Sequence, residues 1–340
     1  MKVFNVLPLA LVALLAGCSA TSDQSSPKQS SLNDTLPKLT LQSVLPAPTS
    51  NEHCNAQMDS DILFGLGFQL YEDQEWDSAK SCLELAAPKH PRAFCYLSII
   101  AGQDESKSAE QRSTDAFNYM AYSATQNDWC AEYGLYQVYQ YGGDGVKADP
   151  ALASRWLERS SLHGYPEAQK ELISQYEAQG NLAAAYAWTK ILAKADDTTA
   201  TDALKAKMSA AQIAEGDKLF NELGTQVTSK KAMFAEAREE DVGRYSAEIY
   251  KDYPDTFKGL SSTERYDYVK QSMYKAIDLP FTKSRGHVLS YIVVNRAAQL
   301  KKPDANIAND KRIVALMEDD ELSVNETIEQ ALVVVNKYYK

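Results

Sequence analysis

The sequence has few of the residues that build catalytic centres and metal sites. It contains four widely separated histidines, His53, His90, His163 and His287. His90 and His163 lie at predicted turns, and His53 with Cys54 would supply only two of the four ligands that a structural zinc ion needs. No Gly-x-Ser-x-Gly nucleophile elbow and no glycine-rich phosphate loop is present. We therefore predict no catalytic residue, no metal ion and no cofactor, and we expect a protein that is not an enzyme.

Basic charge and long apolar runs are also scarce. The chain has 35 Lys and Arg against 46 Asp and Glu, a formal net charge of −11. This balance excludes a broad basic surface for nucleic acid or anionic lipid, because such surfaces need clustered cations. After residue 15, no apolar stretch is long enough to span a bilayer. We expect no nucleic-acid partner, and the acidity favours solubility.

The first residues are typical of an export signal. Lys2 precedes an apolar run, Val3 to Leu15, that is too short for a membrane span and reads as a signal peptide. The run ends in Leu-Ala-Gly-Cys at Cys18, which resembles the bacterial lipobox. The resemblance implies cleavage before Cys18 and acylation of that cysteine by fatty acids such as palmitate. Ser19 after it favours, by analogy, the periplasmic side of the outer membrane. The alternative is a plain secretory signal with an accidental cysteine.

Composition divides the rest of the chain. Residues 20–51 are rich in Ser, Thr, Pro, Asn and Gln and cannot bury enough apolar surface to offset the entropy of ordering. We predict a signal peptide over 1–17, a disordered tether over 18–51, a repeat solenoid over 52–224 and a helical C-terminal domain over 225–340.

The four remaining cysteines are Cys54, Cys82, Cys95 and Cys130. An even number in an exported chain predicts disulfides, and the spacings match no compact zinc motif. Cys82 and Cys95 are about equally far from a turn at 89–91, so an antiparallel helix hairpin would place them opposite each other. Cys54 would then pair with Cys130. The two other connectivities, and four free buried thiols, remain alternatives.

A repeat organises the centre of the chain. Within 131–188, residues recur at an offset of 37, which predicts stacked supersecondary units. The positions repeated at this offset are Ala131, Leu135, Tyr139 and Gly143, which return as Ala168, Leu172, Tyr176 and Gly180. Ala153 and Trp156 return as Ala185 and Trp188 at the shorter offset of 32. The first half of the unit has helical spacing and ends at Gly142 and Gly143, which favour a turn. Asp149 and Pro150 open the second half as cap and first helical residue. The unit is therefore an antiparallel helix pair, and the protein is predicted to be all-α.

These motifs resemble a known repeat family. The residues that carry the resemblance are Tyr141-Gly142-Gly143-Asp144-Gly145-Val146, then Asp149, Ala153-x-x-Trp156 and Gly164-Tyr165-x-x-Ala168. They look like a Sel1-like repeat, the longer relative of the tetratricopeptide repeat. Upstream residues resemble the tetratricopeptide pattern itself: Leu66, Gly67, Leu70, Ala79, Leu83, Ala86 and Pro91. The resemblance covers about residues 61–223 and implies an α-solenoid.

Beyond residue 225 the repeat disappears, and other helix signals replace it. Ser262-Thr263-Glu264 begins an amphipathic segment that continues to Ile277, and an apolar helix is predicted over 287–300. Ser323 and Glu326 form a capping-box pattern before a final helix. These signals predict a small helical C-terminal domain of no recognised family.

The tyrosines supply the candidate binding surface. Tyr133 and Tyr136 lie off the repeated stripe, and with Gln137 and Gln140 they are predicted to face the groove of the solenoid. Tyrosine offers a large contact area with few rotors, which suits recognition. The alternative is that these tyrosines simply pack between helices.

Two functions follow from these patterns. The first is a non-enzymatic scaffold that is anchored to the membrane through Cys18 and holds a peptide or subunit of an envelope assembly in its groove. The alternative is a cell-wall- or β-lactam-directed enzyme or binding protein with its activity in 225–340.

Overall fold

The structure, a computed structural model, describes residues 32–45, 47–143, 145–194 and 197–340. Cys18 and the predicted signal peptide lie outside these residues. In the described part the protein is all-α, with sixteen α-helices, two short 3-10 helices and no β-strand. The prediction of the fold class is confirmed at this level.

The helices follow one another with short connections. In chain order they are α1 (Leu41–Val44), α2 (Ser60–Glu72), α3 (Trp76–Ala86), α4 (Ala93–Gln103), α5 (Ala109–Thr125), α6 (Trp129–Tyr141), α7 (Pro150–Leu162), α8 (Pro166–Ala178), α9 (Leu182–Leu192), α10 (Thr199–Lys205), α11 (Ala210–Leu223), α12 (Lys230–Asp252), α13 (Ser262–Ile277), α14 (Arg285–Lys301), α15 (Lys311–Met317) and α16 (Val324–Tyr338). The 3-10 helices are Pro254–Phe257 and Ile307–Asn309.

Successive helices pair as the repeat predicts. The pairs are α2 with α3, α4 with α5, α6 with α7 and α8 with α9, and each pair also packs against the next one along the chain. Helix α11 packs on α9 and follows the last pair. This is a repeat-like arrangement of antiparallel helix pairs.

Local signals in the sequence set the ends of these helices. Asp128 caps α6 by accepting a hydrogen bond from the Ala131 N–H (2.9 Å), and Asp149 caps α7 in the same way. Helix α6 ends at Tyr141, immediately before the predicted glycine turn. The repeated tryptophan of α7, Trp156, is fully buried. The predicted boundaries of the central pair are confirmed.

The buried residues form two main clusters. The first joins helices α2 to α5 with helices α12 to α16, and the second joins α5 to α9. Residues beyond 225 therefore share a core with the first two helix pairs, although the predicted division of the chain falls at residue 224. The C-terminal region returns to the beginning of the helical stack.

Part of the predicted tether is packed. Leu32 and Leu36, each 4% exposed, belong to the second cluster, and Val44 at the end of α1 belongs to the first. Residues 32–45 therefore depart from the prediction of disorder over 18–51. The reason is that a few well-spaced leucines can enter grooves between helices, even where average composition is polar. Residues 18–31 and 46 of the predicted tether lie outside the described residues.

Two disulfides are present, as the even number of cysteines predicted, but the favoured pairing was wrong. Cys54 is bonded to Cys82 with Cα atoms 5.5 Å apart, and Cys95 to Cys130 with Cα atoms 6.3 Å apart. Cys95 is the third residue of α4 and Cys130 the second of α6. Stacking places these first helices of successive pairs side by side, so the repeat period brings their cysteines together. The hairpin between α3 and α4 does not bring Cys82 and Cys95 together in a disulfide.

Helix α12, with 23 residues, crosses the first helix pair. It packs along α2, and the two helices meet at Gly65 and Gly243. A Cβ on Gly65 would overlap the carbonyl oxygen of Gly243, so the approach requires a residue without a side chain.

The other predicted C-terminal helices are also present. A capping box of Ser261 and Glu264 opens α13, one residue earlier than the sequence signal suggested, and Ser323 with Glu326 opens α16. Within the described residues, no helix combines the length and the apolar character needed to cross a bilayer.

Candidate functional site

The first helices of the four pairs, α2, α4, α6 and α8, form one face of the stack, here called the first-helix face. Helix α12 covers the part over α2. The first turn of α12 and the segment before it reach the turn between α7 and α8. There the Thr228 N–H donates to the Leu162 carbonyl (2.8 Å), and Met233 lies against Gly164. Gly164 has φ +98°, and a Cβ there would lie 2.8 Å from the Met233 sulfur. The part over α6 and α8 remains the accessible portion of this face.

One row of residues explains where the C-terminal region attaches. The N-cap residues of α2, α4, α6 and α8 are Asp59, Arg92, Asp128 and Tyr165. The repeat places them along one edge of the first-helix face. Asp59 pairs with Arg265 of α13 at 3.2 Å. The C-terminal region therefore binds the stack partly through this row.

Arg92 is the strongest attachment point. Its Nε lies 2.5 Å from Asp128 Oδ2, its Nη2 lies 2.7 Å from Glu236 Oε1, and its Nη1 lies 3.3 Å from Glu240 Oε1. The guanidinium also stacks on Trp129, 3.6 Å from the ring centroid. Burial raises the pKa of Glu240, and the neighbouring carboxylates act in the same direction, against Arg92. This Arg92 cluster holds α12 to α4 and α6.

An aromatic row continues from this cluster over α6 and α8. It consists of Trp129, Tyr165, Tyr133 and Tyr136. Trp129 stacks on Tyr165 with centroids 4.6 Å apart, Tyr165 meets Tyr133 edge-on at 5.2 Å, and Tyr133 lies 5.5 Å from Tyr136. Such offset and edge-to-face contacts fix the rings against one another. The row is therefore pre-organised, and its half-buried members Trp129, Tyr133 and Tyr165 form its surface.

Tyr136 lies beneath this surface. Only 3% of it is exposed, and its hydroxyl donates to Glu171 Oε1 at 2.9 Å. The Gln175 amide donates to both the Tyr136 oxygen (3.2 Å) and Glu171 (3.0 Å). Burial, and next the bond to Glu171, raise the pKa of the Tyr136 phenol. Tyr136 thus packs between α6 and α8, as the alternative interpretation of the tyrosines proposed, and supports the accessible residues from below.

Residues other than Tyr136 are accessible on the first-helix face. Of the predicted set, Gln137 is exposed, and Tyr133 and Gln140 are half-buried. Tyr141 at the end of α6 is 75% exposed. The sequence interpretation assigned Tyr141 no binding role.

Sequence reasoning also missed the residues that complete the row from α8. Tyr165 and Glu171 contact α6 directly. The signal was available, because Trp129 and Tyr165 are 36 residues apart, close to the repeat offset. Applying that offset to α6 and α8 would have placed them beside each other.

A buried ion cluster lies under the same helices. Glu132 on α6 is fully buried, with Arg159 Nε and His163 Nδ1 each 2.7 Å from its carboxylate oxygens. Burial raises the pKa of Glu132, whereas His163 and Arg159 oppose that shift. Arg159 also donates to Asn127 (2.8 Å) and bonds the amide oxygen of Asn33. The cluster ties the N-terminal segment to α6 and α7.

An apolar cleft lies beside the aromatic row, with a volume of about 820 Å³. It lies between the first turn of α8, the end of α9 and the first three turns of α12. Its apolar wall consists mainly of Pro166, Ile191, Leu192, Val227, Met233 and Phe234. Phe234 is 67% exposed, whereas the other phenylalanines in the described part of the chain are buried or half-buried. The cleft is the second candidate binding feature of this region.

One group in the described residues has the composition of a metal site. Cys95, Asp128 and Cys130 have potential ligand atoms within 4.8 Å of one another. The two sulfur atoms are joined in a disulfide, and Asp128 is paired with Arg92. We therefore assign this group a structural role.

No family model matches the chain, and no curated protein or solved structure matches it either. The similarity to Sel1-like repeats thus depends on the motif residues themselves. The structure shows the coarser property, an all-helical protein of paired antiparallel helices with two disulfides.

Proposed function

We propose that the protein is a non-enzymatic binding protein of the cell envelope, and that it holds an extended peptide segment of a partner on the open part of the first-helix face. The observation that carries this proposal is the aromatic row over α6 and α8, with Tyr141 and Gln137 accessible beside it. Fixed aromatic rings offer contact area at a low cost in conformational entropy. The neighbouring amide side chains can donate to and accept from a peptide backbone.

The location supports the same function. Two disulfides indicate an oxidising, extracytoplasmic compartment. The lipobox resemblance at Cys18 adds an outer-membrane anchor on the periplasmic side. A partner is then a protein or peptide of an envelope assembly. The acidic net charge makes nucleic acid an unsuitable ligand.

A site-specific photocrosslinker tests this proposal in cells that produce the full chain. We would place it at Gln137 or Tyr141, since both are exposed, and at Ser154 on α7 as a matched control on another face. Mass spectrometry of the adducts would identify what lies on each position. We expect one or two discrete protein adducts at Gln137 and Tyr141 and none of these at Ser154.

Two results would contradict the proposal. One is crosslinking to glycan alone. The other is the same diffuse pattern at all three positions while the protein remains folded. As a second measurement, Tyr133→Ala with Tyr141→Ala should abolish the adducts at Gln137 without loss of helical content.

A further inference from the structure

We propose that the apolar cleft is a self-association surface, in which two copies of the chain pack about a two-fold axis and each places Phe234 in the cleft of the other. The cleft shares Trp129 with the aromatic row, but the inference does not depend on the proposed function. It rests on the shape, the exposed apolar residue and the charges of the cleft.

The apolar part of the cleft lacks a cover within the described chain. Phe234 projects from α12 with 67% of its surface exposed, and it lines the cleft that Ile191 and Leu192 form on the opposite wall. A protruding aromatic residue and an apolar cleft therefore lie on one face of the same molecule. Burying both removes apolar surface from water, which is the main favourable contribution to most protein association.

The charged residues of the cleft are distributed unevenly along α12. The residues of α12 that line it include Lys230, Met233, Phe234, Ala237 and Glu240, a single helical stripe. The stripe is cationic at its beginning, apolar in the middle and anionic at its end.

Neighbouring residues add to the charge at both ends of this stripe. Lys194 joins the cationic end, and Glu236 joins the anionic end. At the anionic end Arg92 faces three carboxylates, those of Asp128, Glu236 and Glu240, so an excess of negative charge remains.

Such a stripe is complementary to itself in the antiparallel orientation. Rotation about an axis near Ala235 places Lys230 of one copy opposite Glu240 of the other, with the apolar residues between them. Lys230 and Glu240 are separated by about 15 Å along the helix, so the two ion pairs would flank the apolar contact. A two-fold interface of this kind is isologous and closes as a dimer.

The dipole of α12 gives a second reason to expect a second copy in the cleft. Lys230 and Lys231 lie in the first turn of α12, where the helix dipole disfavours cations. Lys230 donates to the Leu192 carbonyl at 3.4 Å and to that of Ala193, which offsets part of this cost. Acidic side chains from a second copy would offset more. A uniformly basic or acidic peptide would match only one end of the cleft, whereas a second copy matches both.

Crosslinking between two differently tagged copies of the full chain tests the inference directly. A photocrosslinker at Ala237, which lines the cleft and is exposed, should give a covalent homodimer that carries both tags. The crosslinked peptide should contain residues 191–194 or 230–240 of the second copy. The same probe at Ser154 should give no dimer.

Two pairs of variants separate the interface from general effects. Phe234→Asp should reduce the covalent dimer at least about tenfold, as loss of a central aromatic contact does, and Phe234→Leu should retain most of it. Lys194→Glu should reduce it, and Lys207→Glu, an exposed charge that does not line the cleft, should not. Circular dichroism checks that each variant is folded.

Three results would overturn the inference. These are adducts from Ala237 to a different protein only, a monomer at micromolar concentration in detergent, or equal dimer yields for Phe234→Asp and Phe234→Leu. Adducts to a different protein would identify that protein as the occupant of the cleft instead.

Discussion

Arg92 shows how a single residue joins distant parts of the chain. Its guanidinium is within ion-pair distance of Asp128 on the next first helix and of Glu236 and Glu240 on α12. The side chain is 10% exposed, so its interactions are only weakly screened by solvent. Removing the cation would leave the buried Asp128 carboxylate and the half-buried Glu240 carboxylate without compensation, which costs more than the pair itself contributes.

We predict that Arg92→Met destabilises the protein by roughly 3 kcal/mol near neutral pH. The loss should be smaller at pH 4.5 than at pH 7.5. Burial already raises the pKa of Glu240, and loss of Arg92 raises it further. A carboxyl whose folded pKa is raised contributes stability below its unfolded pKa of about 4.3, and this contribution disappears as pH rises through the folded pKa.

Urea unfolding at the two pH values measures this effect. The double variant Arg92→Met, Glu240→Gln should recover part of the stability at pH 7.5, because one uncompensated charge has been removed. Lys251→Met, at an exposed position of α12, is the matched control and should change little. Equal destabilisation by Arg92→Met at both pH values would contradict the role of the carboxylates.

Tyr136 supports the aromatic row without touching its open side. We predict that Tyr136→Phe costs about 1–2 kcal/mol of stability, because the hydroxyl bond to the Glu171 carboxylate is lost. Crosslinking from Gln137 should be unchanged, since the phenol is buried. Thermal unfolding and the adduct pattern measure the two effects. Tyr250→Phe, at a 41% exposed site, is the control. Loss of the Gln137 adducts in a folded Tyr136→Phe protein would show that Tyr136 contacts the partner.

For single residues, the sequence predicted those roles that depend only on neighbouring residues in the chain. Asp149 was identified as a helix cap because a cap depends only on the next three residues. The ion pair of Arg92 with Glu236 was not predictable, since 144 residues separate the partners. Tyr136 was assigned to the groove because helical spacing excludes it from one stripe but does not show that α8 covers it.

At the scale of helices, periodicity predicted the pairs and missed how a later helix covers them. The repeated stripe of α6 and α8 follows directly from residues four apart. Helix α12 lies beyond the repeat, and its position depends on the glycines that let it approach α2. The disulfide pairing failed for a related reason. A hairpin is a local expectation, whereas Cys95 and Cys130 meet through stacking of successive pairs.

The crossing of α2 and α12 supplies a sharp test. We predict that Gly65→Ala destabilises the protein by about 1–3 kcal/mol, because the new methyl group would overlap the Gly243 carbonyl. Gly102→Ala is the matched control, since Gly102 lies in helix α4 with open space around it. That change should be neutral, or stabilise by up to about 1 kcal/mol through helix propensity. Denaturant unfolding compares the two. Equal stability of the two variants would mean that α12 does not pack closely on α2.

At the scale of the whole molecule, segments on both sides of the helix pairs pack into the cores of those pairs. The N-terminal segment places Leu32 and Leu36 in the core of the later helix pairs. The C-terminal region places Val242 and Ile249 in the core of the first pairs. Neither arrangement was predicted, because composition and periodicity describe segments one at a time and do not show which segments pack together.

We therefore predict that residues 225–340 do not fold alone as they do in the whole protein. Val242, Ile249 and Gly243 lie on the part of α12 that packs with α2, and an isolated fragment would expose that apolar face to water. The fragment should bind a hydrophobic dye and show weak, non-cooperative unfolding. Adding a fragment of residues 32–224 should restore cooperative unfolding. A compact, cooperatively unfolding 225–340 fragment would instead establish an independent domain, and a search for activity in it would then be justified.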